Sequence, residues 1–249
     1  QNAGDKILEI YQRDFSIEAK DDQSPLTEAD LASHHCIVQG LKQITPDIPV
    51  LSEESSESEL SGRQQWQKYW LIDPLDGTKE FIKRNGEFTV NIALIEADVP
   101  VFGIVYAPVP DVFYVGEEKT AYKLEKGVRS QISVAKAPAL NAQWRIVGSR
   151  SHQSDEFKSF ITKFHNTDVI SMGSSLKICL VAEGAADLYP RLGLTSEWDT
   201  AAAHAVVNAA GGKVLEYPSL KPLIYNSRPD SLLNPFFIVC SDVDSAWAE

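Results

Sequence analysis

The acidic turn at residues 73–78, with the sequence D-P-L-D-G-T, has the composition of a metal-binding loop. It follows an apolar run and so lies where a buried strand is expected to end. Asp73 and Asp76 place two carboxylates three residues apart. Pro74 and Gly77 favour a sharp turn that leaves the Leu75 carbonyl free as a neutral oxygen ligand. Such oxygen ligands suit Mg²⁺, whereas the absence of His and Cys argues against zinc and copper. A structural Asp-Gly turn is the alternative.

Two further acidic segments stand at other predicted element ends. Glu53 and Glu54 follow a predicted strand that ends at Leu51, and Asp199, after Trp198, introduces a predicted helix over residues 200–207. Taken singly, each has an ordinary explanation, because paired glutamates usually form a solvated face and an aspartate before a helix is commonly its N-cap. The three acidic segments together, in this order, indicate one shared metal site.

In their order and sequence, these three segments resemble the metal-binding signature of the inositol monophosphatase superfamily. The resemblance covers nearly the whole chain, since the segment 26–30 (L-T-E-A-D) is similar to the family's early T-x-x-D element and 209–212 (A-A-G-G) to the segment after its W-D helix. It implies a layered αβαβα sandwich of the inositol monophosphatase and fructose-1,6-bisphosphatase type, an α/β fold, with two or three Mg²⁺ ions. The ligands that it implies are Glu53, Asp73, the Leu75 carbonyl, Asp76 and Asp199.

The resemblance also implies a phosphatase in which metal-activated water attacks the phosphoryl group. It places Asp30, Glu54 and Thr78 among the catalytic residues, with the Thr78 hydroxyl and the Asp30 carboxylate taking the proton of the water. Each of the latter two has a structural alternative, Thr78 as a turn residue and Asp30 as a first-turn helix acid. His204 is expected to be an ordinary helix residue. Residues expected to contact the substrate as well are Glu53, Leu75, Asp76, Gly77, Thr78 and Asp199.

Other segments bear on which phosphate ester is cleaved. After the acidic turn the chain continues K-E-F and then R-N-G-E-F-T-V-N-I-A, which resembles 3′(2′),5′-bisphosphate nucleotidases of the CysQ type rather than inositol monophosphatases. Lys79, Lys83 and Arg84 form a basic edge there. Arg191 stands where inositol monophosphatases carry a glutamate that accepts from polyol hydroxyls, and a five-donor cation at that position favours a second phosphate.

The segment M-G-S-S-L-K at 172–177 resembles the site of these nucleotidases for the phosphate that is not cleaved, with Ser174, Ser175 and Lys177 as anion contacts. A helix start with a solvated lysine is the structural alternative. The resemblance thus implies hydrolysis of 3′-phosphoadenosine 5′-phosphate to AMP and phosphate, with the phosphosulfate analogue open as a substrate, in sulfur metabolism and with inhibition by Li⁺. His152 is a candidate adenosine contact or an exposed loop histidine.

Two alternatives to a nucleotidase stay open on the sequence. One is an inositol monophosphatase or a broad-specificity sugar phosphatase, which would use the same metal chemistry on another ester. The other is a catalytically silent module that binds metal or nucleotide. Turnover of the candidate substrates under identical Mg²⁺ would separate these three hypotheses.

The amino-acid composition limits the classes of molecule that this protein is expected to bind. The 249 residues include 23 Lys and Arg against 35 Asp and Glu, so the net charge of −12 repels polyanions and excludes DNA and RNA polymers as partners. A small anionic substrate remains compatible, because bound cations reverse the local potential. No apolar run is long enough for a membrane span, and no signal peptide is apparent near Gln1. The oligomeric state is left open.

The three cysteines are widely spaced, which favours neither a disulfide framework nor a zinc site and fits a reducing cytosol. We therefore expect a cytoplasmic protein. Peripheral association with the inner membrane is left open, although no amphipathic anchor is apparent.

Hydrophobic periodicity divides the chain into two parts. A helix is predicted over 30–44 with Thr27 as its N-cap, then strands over 48–51 and 69–72, then an antiparallel sheet from segments 88–96, 101–106, 112–115 and 121–124. From residue 143 strands alternate with helices, which is an α/β pattern. Strands are predicted over 144–147, 168–170, 186–189, 213–216 and 236–240, and helices over 155–164, 174–183 and 200–210. We expect an N-terminal α+β subdomain (1–140) that carries the acidic loops and a C-terminal subdomain (141–249) that completes the metal site and binds substrate, with the boundary between Pro138 and Arg145.

Overall fold

The computed structural model describes residues 1–19, 25–139, 141–149, 154–244 and 247. Six α-helices lie within these ranges: α1 (Asn2–Tyr11), α2 (Glu28–Ile44), α3 (Thr78–Ile82), α4 (Asp155–Ile161), α5 (Leu176–Ala182) and α6 (Ala201–Ala209). Short 3₁₀ turns occupy Arg63–Gln65 and Glu197–Asp199. None of these helices combines the length and the apolar character that crossing a bilayer would need.

Helix α2 begins where the sequence predicts, at the Thr27 cap. The Thr27 hydroxyl accepts from the backbone N–H of Ala29, and the Asp30 carboxylate accepts in return from the Thr27 backbone N–H, 2.8 Å away. This reciprocal capping box satisfies N–H groups that the first turn of a helix leaves without partners. It also fixes the orientation of Asp30, one of the predicted catalytic residues.

The larger sheet contains seven strands in sequence order: β3 (Val50–Ser52), β4 (Lys68–Asp76), β5 (Thr89–Glu96), β6 (Val99–Ala107), β7 (Val112–Glu117), β8 (Thr120–Glu125) and β9 (Val128–Gln131). All neighbouring pairs are antiparallel except β3 and β4. Strands β1 (Ile17–Ala19) and β2 (Pro25–Thr27) form a separate antiparallel pair.

The smaller sheet contains five strands in the order β11-β10-β12-β14-β13. Its members are β10 (Gln143–Ser149), β11 (Asn166–Met172), β12 (Leu188–Arg191), β13 (Lys213–Glu216) and β14 (Phe237–Cys240). Strand β10 is parallel to β11 and β12, whereas β14 is antiparallel to β12 and β13. The carboxyl ends of β10 and β12, at Ser149 and Arg191, therefore lie on the same edge.

The two sheets and the helices stack in five layers. Helices α1 and α2 pack on the outer face of the larger sheet, α5 and α6 fill the space between the sheets, and α4 covers the outer face of the smaller sheet. Two glycines let α6 approach the larger sheet closely: a Cβ on Gly103 would lie 2.1 Å from the Ala202 carbonyl oxygen, and one on Gly116 would lie 2.5 Å from the Cα of Val206. The predicted αβαβα fold is confirmed.

Several predicted boundaries were wrong for identifiable reasons. The strand over 69–72 does not stop at the first aspartate, because β4 continues to Asp76 and absorbs Pro74 in a register shift against β5. The helix over 174–183 begins only at Leu176, since Ser174 has a positive φ of 47°. Short elements that lack a full period of hydrophobic residues, such as α3 and β9, were not predicted. The subdomain division at residues 140 and 141 stays a prediction.

Candidate active site

Three predicted metal ligands converge although they come from distant parts of the chain. One carboxylate oxygen each from Asp73, Asp76 and Asp199 lie within 4.8 Å of one another. Asp73 and Asp76 belong to the bulged end of β4, and Asp199 ends the 3₁₀ turn before α6. We call these three residues the acidic wall.

The electrostatics of the acidic wall suit a bound cation. Burial raises the pKa of Asp73 well above its ordinary value, and the negative charges of Glu53, Asp76 and Asp199 raise it further. Burial, followed by the charges of Asp76 and Glu53, also raises the pKa of Asp199. Carboxylates that repel each other in a desolvated place are stabilised by divalent cations, and an all-oxygen donor set fits Mg²⁺.

The bulge between Asp73 and Asp76 is held from two sides. The Leu75 N–H donates to Asp73 Oδ1 at 3.0 Å, and the Ser33 hydroxyl of α2 donates to the Pro74 carbonyl at 2.7 Å. Gly77 follows with a φ of 95°, a conformation that side chains other than glycine rarely adopt. The predicted sharp turn is therefore present, and the Leu75 side chain is buried while its carbonyl lies 3.4 Å from the Thr78 hydroxyl.

Thr78 and Asp30, predicted as a proton-accepting pair, are in contact. The Thr78 hydroxyl donates to Asp30 Oδ1 at 3.3 Å, while Asp30 Oδ2 accepts from the hydroxyl of Thr27 at 2.6 Å and from its N–H. Asp30 is only 1% exposed. A carboxylate with one oxygen occupied by two donors and the other facing a hydroxyl is oriented for proton transfer through that hydroxyl.

Asp76 rests in a polar cradle that the sequence analysis did not identify as such. Its Oδ2 accepts from the hydroxyl of Ser175 at 2.7 Å and from the Ser175 N–H, with Thr89 at 3.5 Å and the Asn91 side chain at 3.4 Å as longer contacts. The Ser175 oxygen also lies 2.6 Å from the Asp199 carbonyl oxygen and accepts from Asn91 at 2.8 Å. Ser175 thus joins two segments of the acidic wall, although we had predicted it only as an anion contact.

Thr89 and Asn91 are functional-site residues that sequence reasoning missed. Both lie on β5 and are almost fully buried, opposite Asp76 and Asp73 respectively in the strand pairing. Polar residues at alternate positions of a buried strand are a signal for such a role, since buried polar groups need partners. The partner in this case lies on another strand, which the sequence does not reveal.

Glu53 and Glu54 lie at the start of the loop after β3. The Glu53 N–H donates to the Ile72 carbonyl of β4 at 3.2 Å, and its carboxylate is close enough to Asp73 to raise the pKa of that residue. The Glu54 N–H donates to the Ser52 hydroxyl, which His34 also contacts at 2.8 Å. The structure therefore brings Glu53 to the acidic wall and fixes Glu54 next to it through the backbone.

A cleft of about 140 Å³ is lined by acidic and basic side chains together. Lys177 and Arg191, which we call the basic wall, line it together with Asp76, Asp199 and Ser174. Burial lowers the pKa of Lys177, whose Nζ donates to the Ser174 carbonyl and lies 5.9 Å from the Tyr189 ring centroid.

Arg191 lines both this cleft and a second cavity. One Nη atom donates to the Leu194 carbonyl at 2.8 Å, and its buried Nε has no hydrogen-bond partner among the described residues. The second cavity, of about 510 Å³, shares Ser149, Tyr189 and Arg191 with the cleft and is mostly lined by apolar groups. Arg191 therefore borders both spaces, whereas Lys177 lines only the cleft.

The remaining predicted residues are placed as follows. Lys79 and Gly77 line the cleft, whereas Arg84 turns away from it and donates to the backbone carbonyls of Tyr11 and Arg13. His204 is a buried residue of α6, as expected, and its Nδ1 lies 3.0 Å from the Tyr225 hydroxyl. His152 lies outside the described residues.

Comparison with known proteins agrees with this geometry. The model of the inositol monophosphatase family matches residues 1–231. The chain is 53% identical to the 3′(2′),5′-bisphosphate nucleotidase CysQ of Escherichia coli K12 over 242 residues, which is 96% of this chain and 95% of that protein. It is 54% identical to the CysQ nucleotidase of Salmonella typhimurium over the same shares.

A solved structure gives the same result in three dimensions. The crystal structure of CysQ from Bacteroides thetaiotaomicron, described as a bacterial member of the inositol monophosphatase family, superposes with a TM-score of 0.82 at 43% identity. The match covers 97% of this chain and 94% of that one. With its fold, its acidic wall and its relatives in agreement, this chain belongs to the inositol monophosphatase family.

Proposed function

We propose that this protein is a metal-dependent 3′(2′),5′-bisphosphate nucleotidase that converts 3′-phosphoadenosine 5′-phosphate to AMP and inorganic phosphate. The observation that carries this proposal is one cleft that is lined by Asp76 and Asp199 of the acidic wall and also by Lys177 and Arg191. Such a cleft can hold one phosphate among cations bound by carboxylates and a second phosphate on protein cations. The relatives named above support the same activity.

The residues of the acidic wall fit the implied metal, and we propose Mg²⁺, as two or three ions. Glu53, Asp73, Asp76 and Asp199 would supply carboxylate oxygens, and Leu75 its carbonyl. When bound, Mg²⁺ neutralises phosphoryl charge and lowers the pKa of water, which are the two contributions that hydrolysis of a phosphate ester requires.

The chain itself supplies the path for the proton. We assign to Thr78 the acceptance of a hydrogen bond from the attacking water and to Asp30 the acceptance of the Thr78 proton, since their oxygens already lie 3.3 Å apart. The Thr27 donors hold the Asp30 carboxylate in this orientation. We place Glu54 with these catalytic residues because its backbone is fixed next to Glu53.

The basic wall defines the substrate class. Ser174, Lys177 and Arg191 are proposed to bind the phosphate that is not cleaved, with Gly77 and Ser175 beside the reacting one. A glutamate in place of Arg191 would accept from the hydroxyls of inositol, whereas a guanidinium favours an anion. The structure and the relatives give no support to the alternative of an inositol or sugar phosphatase. The free thiols Cys36, Cys179 and Cys240 are consistent with the proposed cytoplasmic location.

A panel of phosphate-release assays tests the function. Under identical Mg²⁺ we expect 3′-phosphoadenosine 5′-phosphate to exceed inositol 1-phosphate and fructose 1,6-bisphosphate in kcat/KM, with Li⁺ in the millimolar range as an inhibitor. The phosphosulfate analogue shows whether the 5′ group matters. Preference for inositol 1-phosphate would contradict the proposal, and tight nucleotide binding without phosphate release would indicate a silent binding module.

A further inference from the structure

We propose that Arg63 is a positioning residue that holds the loop carrying Glu53 at a fixed separation from Asp199 of the acidic wall. It does so through Asn226 and Glu197, neither of which touches the cleft. The inference rests on the metal site of the proposed function, but it concerns the affinity of that site for a divalent cation rather than the ester that is hydrolysed.

Arg63 is a buried cation whose guanidinium donates hydrogen bonds to one loop, residues 226–231. It is 7% exposed, and one Nη donates to the Asn226 side-chain oxygen. The other Nη lies 2.8 Å from the Arg228 carbonyl, 2.7 Å from the Pro229 carbonyl and 3.4 Å from the Ser231 carbonyl. Four acceptors on the segment 226–231 for one guanidinium define a specific connection, because a planar fork of donors fits few arrangements.

Asn226 links Arg63 to Glu197. Its side-chain N–H₂ donates back to the Arg63 carbonyl at 2.7 Å, so the two residues bind each other reciprocally. Its backbone N–H donates to both carboxylate oxygens of Glu197, each at 2.9 Å. Asn226 is 5% exposed and has a φ of 54°, so it is held in a left-handed conformation that suits asparagine better than most residues.

Glu197 opens the 3₁₀ turn that ends at Asp199. Its own N–H donates to the Leu232 carbonyl at 2.8 Å, which fixes the turn to the same loop a second time. Within the turn, the Ser196 N–H donates to Asp199 Oδ2 at 2.9 Å. Only Trp198 therefore stands between Glu197, whose carboxylate contacts Asn226, and Asp199 of the acidic wall.

On its other side Arg63 ends the loop that begins at Glu53. The loop is tied to β4 at its start by the Glu53 N–H, and near its end the Arg63 N–H donates to the Leu60 carbonyl as the 3₁₀ turn at Arg63–Gln65 begins. Gln64 adds a contact to the Asn226 carbonyl at 3.2 Å. The element that supplies Glu53 and the element that supplies Asp199 are thus joined through Arg63.

The physical consequence concerns cation binding. Ligands that must gather around an ion bind it more weakly when their separation fluctuates, because ordering them costs free energy at the moment of binding. Loss of the Arg63 connection should therefore lower the affinity for the cation, while turnover at saturating Mg²⁺ changes little.

The test measures Mn²⁺ binding by titration calorimetry without substrate, on the full chain. The variants are Arg63→Lys, which keeps the charge but loses the planar fork of donors, and Asn226→Gly, which keeps access to the left-handed φ. For both we expect the Mn²⁺ affinity to fall by about tenfold, the lower end of the about 10–100-fold range for residues that orient metal ligands. Half-saturating Mg²⁺ for activity should rise in parallel. Arg145→Ala is the matched control, because Arg145 also binds a buried carboxylate and a carbonyl, at Asp187 and Ala185.

Three results would overturn the proposal. The first is Mn²⁺ affinity within about twofold of wild type in both variants when their thermal melts show folded protein. The second is an equal loss in Arg145→Ala, which would indicate general destabilisation. The third is failure of the wild type to bind Mn²⁺. A wild type that binds Mn²⁺ but does not hydrolyse the nucleotide would contradict the proposed function and leave this test valid.

Discussion

The acidic and the basic walls face one cleft but are held in different ways. Each carboxylate of the acidic wall accepts hydrogen bonds from the protein: Asp73 from the Leu75 N–H, Asp76 from Ser175 and Asp199 from the Ser196 N–H. In the basic wall, Arg191 donates through one Nη to the Leu194 carbonyl and has a buried Nε without a partner among the described residues, while Lys177 donates to the Ser174 carbonyl and lies near the Tyr189 ring.

This difference matches two kinds of task. Metal ligands must stand at fixed distances, so the fold restrains them with donors from their own strand or turn, at Leu75 and Ser196, and from Ser175 at the start of α5. A residue that binds an anion needs unused donors, because donors already committed to the protein have less to gain from a phosphate. Under the proposed function, the acidic wall serves the chemistry and the basic wall the choice of substrate, so variants on each wall should have different effects.

The largest effect is expected on the acidic wall. Asp76→Asn removes a negative charge from the site and should lower kcat by about 10²-fold or more while the fold remains, by analogy with the loss of a preorganised electrostatic group. Steady-state assays at saturating Mg²⁺ measure this, with the exposed Glu57→Gln as the control. All substrates should lose activity alike, and near-normal kcat would refute the metal assignment.

A selective effect is expected on the basic wall. Arg191→Glu replaces attraction of the uncleaved phosphate by repulsion, and a charge-assisted contact contributes about 1.5–3 kcal/mol. We therefore expect kcat/KM for 3′-phosphoadenosine 5′-phosphate to fall by about ten- to a hundredfold. Inositol 1-phosphate should hold steady or improve, because its hydroxyls could donate to the new carboxylate.

The control for this substitution is Arg129→Glu, which makes the same charge change on the exposed strand β9. Equal losses for both substrates in Arg191→Glu would mean that Arg191 supports the scaffold of the cleft. The distinction between the two walls would then fail.

The smallest effect is expected at Ser175, which joins two segments of the acidic wall. Ser175→Ala removes the hydroxyl that lies between Asp76 and the Asp199 carbonyl, and groups that orient metal ligands typically alter metal affinity by about 10–100-fold. We expect half-saturating Mg²⁺ to rise by about tenfold, with the exposed Ser159→Ala unchanged. A raised KM for the nucleotide at unchanged Mg²⁺ dependence would instead assign Ser175 to substrate binding.

Local patterns were sufficient for much of the fold. The cap at Thr27 and the alternation in β5 to β8 depend on neighbouring residues, and both were predicted. The acidic wall was identified because turn-forming residues and a family resemblance can both be recognised within short segments. Element ends were less predictable where tertiary contacts decide them, as at Ser174, whose positive φ delays the start of α5.

The supports of the site were beyond the reach of the sequence. Ser175 and Asp76 are 99 positions apart, and Arg63 and Asn226 are 163 apart. Nothing in either segment marks its partner, since Arg63 lies in a polar stretch that is compatible with a solvated loop. Such contacts depend on how the layers stack, which single-chain patterns do not encode.

We infer that the two glycines beneath α6, Gly103 and Gly116, influence the distance between Asp199 and Asp76. Asp199 stands just before α6, and Asp76 ends a strand of the sheet on which α6 lies. The distance between the helix and the sheet therefore also affects the distance between these two carboxylates. A methyl group at Gly116 would meet the Val206 Cα at 2.5 Å and force the helix outward. We expect Gly116→Ala to weaken Mn²⁺ binding from a position without any polar contact to the site, and unaltered binding would show that the helix can shift without moving Asp199. Weaker Mn²⁺ binding in Gly116→Ala would instead show that the distance between α6 and the sheet determines the spacing of the metal ligands.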